Sequence, residues 1–350
     1  MRLLIITQKV DADDPILGFF HRWIEEFAKQ CERVLVLCLE QGNFHLPQNV
    51  SVASLGKERQ RSKPQYVARF YRYIFAHRRE YDCVFVHMNP EYVLLGSFLW
   101  RIWRKRIGLW YVHRQVNMKL RIAEKLSHVI FTAAKESFQL KSGKVHVLGH
   151  GIDTKKFFCA DPKMKNKEPL ILSVGRITKI KNLETLVRAA GLVKTRIAEK
   201  FVVRIIGDAV TAEDRALKTD LERQIFDNGL AGTVVFMGSA PHGRMPEVYC
   251  SADLSVNLAP TGGLDKAVLE SMACGVPAFS SNRAFAPLFG PLAPSLLFRH
   301  GDPEDLAEKI TRFFAASPSG IGARLRQSVI AEHDIASRVS DIAGLLDDLA

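Results

Sequence analysis

Short apolar runs of strand length alternate with amphipathic stretches of helical length along most of the chain, and this alternation narrows the fold more than any other feature. In the first part the strand runs fall at 2–7, 33–39, 50–55, 83–88, 107–113, 128–133 and 144–148, with helical stretches at 18–30, 65–79, 91–103, 117–126 and 135–141. Runs such as RVLVLCL and DCVFVHM are apolar at consecutive positions, so both faces of each strand must be covered. Strands of that kind separated by helices specify a parallel sheet with helices on both sides. A second series follows, with strand runs at 170–175, 201–208, 233–238, 254–259, 278–281 and 295–298 and a helical tail from about residue 302. The 350 residues exceed what one hydrophobic core usually organises, which agrees with two units. The fold class expected is α/β, with two Rossmann-like doubly wound domains facing each other across a cleft. The domains are expected at residues 1–153 and 169–325, joined by a charged, aperiodic, proline-containing linker at 154–168. Residues 326–350 are expected to form a C-terminal helix that packs back on the first domain.

Sheets of this kind bind ligands beyond the carboxyl ends of their strands, so function is expected in the cleft. Neither G-x-G-x-x-G nor G-x-x-x-x-G-K-[ST] occurs, so dinucleotide dehydrogenases and P-loop kinases lose support. The six cysteines, at 31, 38, 83, 159, 250 and 274, include no C-x-x-C pair and sit mostly in apolar runs, so they read as small core residues. No Cys/His grouping has zinc spacing, and no structural metal is expected. The D-x-D at residues 11–13 follows the first strand and reads as turn chemistry. The longest apolar stretches, such as 92–100, are too short to span a bilayer, and the opening MRLLIIT lacks a signal peptide's apolar region and cleavage site. A cytoplasmic protein is expected.

The net charge of +12 is concentrated: residues 57–125 hold 16 Lys and Arg against five Asp and Glu, a net +11. Interleaved with Phe98, Trp100, Trp103 and Trp110, this stretch is either an ordinary solvated face with its tryptophans in the core or a surface that meets anionic headgroups. A nucleic-acid partner is not expected, since no recognised nucleic-acid module accompanies the patch.

Four segments of the second half carry chemistry. LILSVGRITKIKNLETLVRAAGLV is a buried strand ending at Gly175, then a loop with Arg176 and Lys181, then a helix. Two cations at the carboxyl edge of a sheet, beside a helix N-terminus, suit a diphosphate, although a basic loop is also an ordinary solvated turn. FVVRIIGDA ends at Gly207, where a ligand can approach main chain. VVFMGSAPHGRMPEVYCSADLSVNLAP gives way at Met237-Gly238 to a polar loop that suits a flat base. In APTGGLDKAVLESMACGVPAFSSN, Gly262-Gly263 is read as opening a helix, with bare amides at Gly263 and Leu264 placed for a phosphate. Glu270, among Ala267, Val268, Leu269, Met272 and Ala273, is either an exposed helical Glu or a carboxylate that needs donors, which ribose hydroxyls supply.

In their order and spacing these segments resemble the donor half of a GT-B glycosyltransferase of family 4, the glycosyl transferases group 1, and HGIDTKKF resembles that family's hinge. The resemblance is specific over about residues 144–282 and weaker over the first 140. It implies retaining, metal-independent transfer of a hexosyl group from a nucleotide diphosphate sugar, with no other cofactor. Arg176 and Lys181 would clamp the diphosphate, Gly262, Gly263 and Leu264 would line its other side, and Glu270 would hold the ribose. In the first domain Gly18 resembles the glycine loop that approaches the donor, and His113, read as ending the strand GLWYVH, resembles the histidine that reaches the transferred sugar. The family's paired-Glu motif places its first Glu where this chain has Gly262, and Asp265 and Lys266 are the nearby substitutes. The acceptor expected is a cell-envelope or lipid-linked glycan at the inner membrane face. A sugar-nucleotide epimerase of the same fold and a catalytically silent nucleotide-sugar-binding relative are the alternatives.

Overall fold

The computed structural model describes residues 1–14, 16–160, 168–260 and 262–348. The chain divides into two units, Met1–Asp153 with His333–Ala350, and Thr154–Glu332. Thus α/β organisation and two parallel-sheet units are observed, and the return to the first unit occurs at residue 333 rather than 326. Of the expected linker, residues 161–167 lie outside the described residues; residues 154–160 are part of the second unit.

The first unit runs β1 (Arg2–Val10), α1 (Phe19–Gln30), β2 (Arg33–Gln41), β3 (Val50–Ser54), α2 (Lys63–Ala76), β4 (Cys83–His87), α3 (Pro90–Ile102), β5 (Arg106–Trp110), α4 (Met118–Leu126), β6 (Val129–Thr132) and β7 (Val145–Val147). Its sheet is parallel throughout, in the order β3-β2-β1-β4-β5-β6-β7. Alternation along β1 feeds two cores. Leu3 and Ile5 pack with Phe20, Trp23 and Phe27 on one face, and Leu4 and Ile6 with Phe70, Tyr92 and Trp100 on the other. Local signals start the helices: Ser62 and Gln65 form a capping box on α2, and Asn117 Oδ1 accepts from Leu120 N–H at 2.9 Å on α4.

The second unit runs β8 (Leu170–Val174), α5 (Leu183–Arg196), β9 (Val202–Ile206), α6 (Ala212–Asp227), β10 (Val234–Gly238), α7 (Met245–Cys250), β11 (Leu254–Asn257), α8 (Lys266–Ala273), β12 (Ala278–Ser280), α9 (Ala286–Phe289), α10 (Ala293–Leu296), α11 (Pro303–Ala316) and α12 (Ile321–His333). The parallel sheet has the order β10-β9-β8-β11-β12, so the winding reverses between β8 and β11. The last helix, α13 (Ile335–Asp347), lies in the first unit, where Ile335, Val339, Ile342 and Leu346 join the α1 core. Arg106 donates to Leu346 O and Asp347 O at 3.0 and 2.9 Å, placing a cation at the carboxyl end of α13.

Several sequence expectations are corrected. The run at 107–113 stops being strand at Trp110, because its neighbour β4 ends at His87 and Met88 turns away with φ 70°. His113 is therefore on a loop. The stretch 135–141 makes only a 3-10 turn, Lys135–Ser137, and 295–298 is not a strand: Pro294 starts the short α10, leaving Leu297 to bridge Ser280. Cys159 and Cys250 are not core thiols but a disulfide across 91 residues. Cys31, Cys38, Cys83 and Cys274 are buried thiols.

Where α12 gives way to α13, the His150 N–H donates to His333 Nδ1 at 2.9 Å, which leaves the proton of the neutral ring on Nε2. A second proton would face that N–H, and burial, with Arg338 adding to it, pulls the His333 pKa from 6.5 to about 4. Since the folded value lies below the unfolded one, this stability is complete above pH 6.5 and drains away as the pH falls toward 4. The full contribution is about 3 kcal/mol. Urea midpoints should fall between about pH 7 and about pH 5 in the wild type and fall less in His333→Asn, whose amide accepts without titrating. An equal fall in both proteins would contradict the assignment.

Candidate functional site

At the reversal of the second sheet, the loops after β8 and β11 leave from neighbouring strands. The carboxyl ends of β8, β9 and β10 are sewn together there. Gly175 N–H donates to Ile206 O at 3.0 Å, Gly207 N–H to Gly238 O at 2.9 Å, and Ile177 N–H to Asp208 O at 3.1 Å. Gly207 has φ 144°, and a Cβ there would stand 2.0 Å from Gly175 O, so no other residue fits this strand end. Asp208 Oδ1 accepts from Ser239 N–H at 3.2 Å, tying the loop after Met237 and Gly238 to the same edge. Met237 itself is exposed.

Lys181 closes a 3-10 turn, Lys179–Lys181, ahead of α5, and its stem crosses Gly175. Its ammonium pairs with Asp265, joining the β8 loop to the β11 loop. Asp265 Oδ2 also accepts from Asn257 Nδ2 at 2.9 Å, and Oδ1 from Ala267 N–H at 3.2 Å. Burial works to raise the Asp265 pKa, but Lys181, Asn257 and the Ala267 amide together hold it below the usual carboxylate range. Arg176 is exposed, and its charge acts on Asp214 in the first turn of α6. Lys181 thus reaches the loop at 262–265, whereas Arg176 is held by no ion pair to it among the described residues.

The loop itself differs from expectation. The helix opens at Lys266 with Asp265 as its N-cap, not at Gly262-Gly263, because the Asp265 side chain takes the first-turn amide. Gly263 and Leu264 precede the helix, and Gly263 O accepts from Asn282 Nδ2 at 3.2 Å. Thr261 lies outside the described residues. Gly262 has φ 125°, and a Cβ there would meet nothing within 4 Å. Asp265, one of the two residues expected to stand in for the family's first Glu, is bonded to Lys181, Asn257 and the Ala267 amide. Lys266 stands one turn from Glu270, and burial, opposed by Glu270, pulls its ammonium down to about 7.

Glu270 is buried rather than exposed. Tyr249 OH donates to Glu270 Oε2 at 3.1 Å, and His242 Nε2 lies 3.6 Å from Oε1. Burial, reinforced by Glu270, pushes the Tyr249 phenol well above its usual value, so the tyrosine is a donor here. The rings of Phe157, His242 and Tyr249 pack together beside it. Sequence reading missed Tyr249 and His242. The available signal was chemical: a carboxylate inside an apolar helix face needs protein donors as well as ligand donors.

In the first unit, Gly18 caps α1, where a Cβ would stand 2.5 Å from Asp14 O and 2.9 Å from Ala12 O. Its need for glycine comes from the loop folding on itself. Asp11 and Asp14 pair with Lys9 at 3.2 and 2.8 Å, and Asp13 accepts from Asn43 Nδ2 at 3.2 Å. His113 sits beyond β5 with its ring edge-on to Tyr111 at 5.7 Å, and local shielding lowers its pKa. A second histidine, His87, ends β4 in the buried interior, 3.1 Å from Thr7 Oγ1 and stacked on Phe20.

Residues 155–328 match the family model of the glycosyl transferases group 1. The match takes in nearly the whole of the second unit. D-inositol 3-phosphate glycosyltransferase of Nocardiopsis dassonvillei is 24% identical over 194 residues, covering 52% of this chain and 44% of that protein. The chain thus spans less than half the length of the curated relatives it matches. Anabaena HepE in complex with UDP superposes with a TM-score of 0.78 at 18% identity, over 99% of this chain and 100% of that one. Sucrose-phosphate synthase from Thermosynechococcus elongatus gives 0.77 at 17% identity, over 100% and 99%. At these identities the likeness establishes the fold, the pair of Rossmann-like units of GT-B glycosyltransferases. The region that matches the family model holds Lys181 in the loop after β8, and Asp265 and Glu270 in the loop and helix after β11.

Proposed function

We propose that the protein transfers a hexosyl group from a nucleotide diphosphate sugar, with a UDP-sugar the first donor to test, to a glycan or lipid-linked acceptor of the cell envelope, with retention and without a metal. The observation that carries this reading is the junction of Lys181 with the Asp265 loop at the sheet reversal, a turn away from the buried Glu270. HepE has been solved with UDP and with UDP-glucose, and that protein shares this fold.

Cleaving the bond between sugar and diphosphate builds negative charge on the leaving group. Fixed cations and main-chain amides stabilise that charge without needing to reorganise. Lys181 and Arg176 supply the cations, and the amides of Gly262, Gly263 and Leu264 the donors. Glu270 Oε2 is held by Tyr249, and we assign Oε1, with His242 Nε2 3.6 Å away, to accept from a ribose hydroxyl. We assign the base to the loop at Met237 and Gly238, which Asp208 ties to the sheet edge through Ser239. With Gly262 in place of a carboxylate, sugar choice within the second unit falls to Lys266. The sequence nominates no carboxylate for a double displacement, so a front-face attack assisted by the departing phosphate is the route we favour.

The test is to incubate the protein with a panel of nucleotide sugars and follow nucleotide diphosphate release with EDTA present. Release of UDP from one UDP-sugar, accelerated by acceptor, is the expected result. A sugar that stays on its nucleotide but changes configuration would mark an epimerase instead. Binding with no release would mark a silent relative.

A further inference from the structure

Amphipathic helices on a sheet normally bury their apolar stripe and offer a polar one to water. Three neighbouring helices of the first unit depart from that rule. The inner faces of α2, α3 and α4 do enter the core, through Phe70, Trp100 and Leu120. Their outer faces carry second apolar stripes at i, i+4 spacing: Tyr71 and Phe75 on α2, Phe98 and Ile102 on α3, Met118 and Ile122 on α4. Phe98 is 73% exposed, Met118 70% and Ile102 60%, so these side chains stand in solvent.

The helices that carry the stripes are neighbours. Tyr71 OH donates to Leu95 O at 3.0 Å and Phe75 meets Trp103 edge-on at 5.9 Å, which joins α2 to α3. Arg101 reaches Leu126 O at 3.0 Å and Lys119 pairs with Glu91 at 2.9 Å, which joins α3 to α4. Exposed apolar side chains scattered singly need no explanation, but exposed pairs on three adjacent helices do.

Cations surround the patch. Lys63, Arg69, Arg72, Arg101, Arg121 and Lys125 are exposed on the same helices, and among the described residues none of them pairs with a carboxylate. The surrounding stretch has the net +11 of residues 57–125. A second copy of this chain would bring that charge against itself. Nucleic acid would answer the charge and leave the apolar stripes wet. An anionic bilayer answers both, because long basic side chains reach the headgroups while aromatic and aliphatic ones enter the acyl boundary.

We propose that the outer face of α2, α3 and α4 is a docking surface for an anionic lipid bilayer, seating Phe75, Phe98, Ile102 and Met118 at the headgroup boundary. No described helix is long and apolar enough to cross a membrane, so the contact is a surface one. The proposal deepens the transfer reading by saying where a membrane-borne acceptor is met.

Co-sedimentation with vesicles tests it without any donor, so its failure leaves the transfer reading standing. The full chain should bind vesicles containing about a third phosphatidylglycerol on the order of tenfold or more tightly than phosphatidylcholine alone, and added salt should weaken the binding. Phe98→Ser with Ile102→Ser should lower vesicle affinity on the order of tenfold while leaving the melting temperature and nucleotide release unchanged. A charge-only arm, Arg72→Glu with Arg121→Glu, should abolish the preference for the anionic vesicles. Absence of binding to either vesicle overturns the proposal. So does a self-association seen by light scattering that the serine variant dissolves, or duplex DNA bound more tightly than the anionic vesicles.

Discussion

Replacing Lys181 by alanine is expected to lower sugar transfer roughly a hundredfold or more, corresponding to about 3 kcal/mol of charge stabilisation on the leaving diphosphate. The structure adds a complication. Lys181 is also the partner of Asp265, so its loss strands a half-buried carboxylate and loosens the loop that precedes α8. Two origins for the same loss of turnover must be separated. Asp265→Asn removes the stranded charge and keeps a competent N-cap, since asparagine caps as well as aspartate. The double variant Lys181→Ala/Asp265→Asn should therefore recover most of the melting temperature lost by the single one, yet stay about as slow. If turnover returns with stability, the lysine is a strut of the loop and not a clamp on the anion. Arg176→Ala in the same assay is expected to lose less, because the guanidinium is exposed and solvent screens it.

The parts of the fold that were legible in the sequence are those set by local pattern. The consecutive apolar positions of β1 and β4 determine a strand covered on both faces. The segment from Leu183 is helical because its apolar positions recur at helical spacing. What was not legible depends on neighbours. The run at 107–113 has enough apolar, β-branched and aromatic character to continue as strand, but pairing ends where β4 ends, and no property of residues 111–113 reveals that. Lys181 and Asp265 are 84 residues apart and the bridged cysteines 91, so sequence spacing could not have joined either pair. One miss was readable: Asp265 immediately ahead of an apolar helical run is an N-cap signal, and it outweighs the glycines that drew the helix start three residues too early. Glu270 was legible as a carboxylate in apolar surroundings. Its protein donor was not, because Tyr249 comes from a separate helix.

Glu270 also yields the second large effect. A buried carboxylate that accepts from a ribose hydroxyl makes a charge-assisted hydrogen bond worth about 1.5–3 kcal/mol, so Glu270→Ala should weaken UDP on the order of ten- to a hundredfold. Loss of affinity alone does not identify the ribose, because removing a buried side chain also disturbs α8. The ligand must be varied with the protein. Wild type should prefer UDP over its 2′,3′-dideoxy analogue by about the same factor, and Glu270→Ala should bind the two alike. Tyr249→Phe gives the contrasting result: it takes the donor from Oε2, leaves a buried oxygen unpaired and should cost about 1–3 kcal/mol of stability. The preference for the ribose hydroxyls should survive that change, since Oε1 is untouched. Calorimetric titration of the two nucleotides into the three proteins reads the affinities, and urea unfolding of wild type and Tyr249→Phe reads the stability. Equal discrimination by wild type and Glu270→Ala would move the ribose elsewhere in the domain and leave Glu270 as the buried partner of Tyr249 and His242 alone.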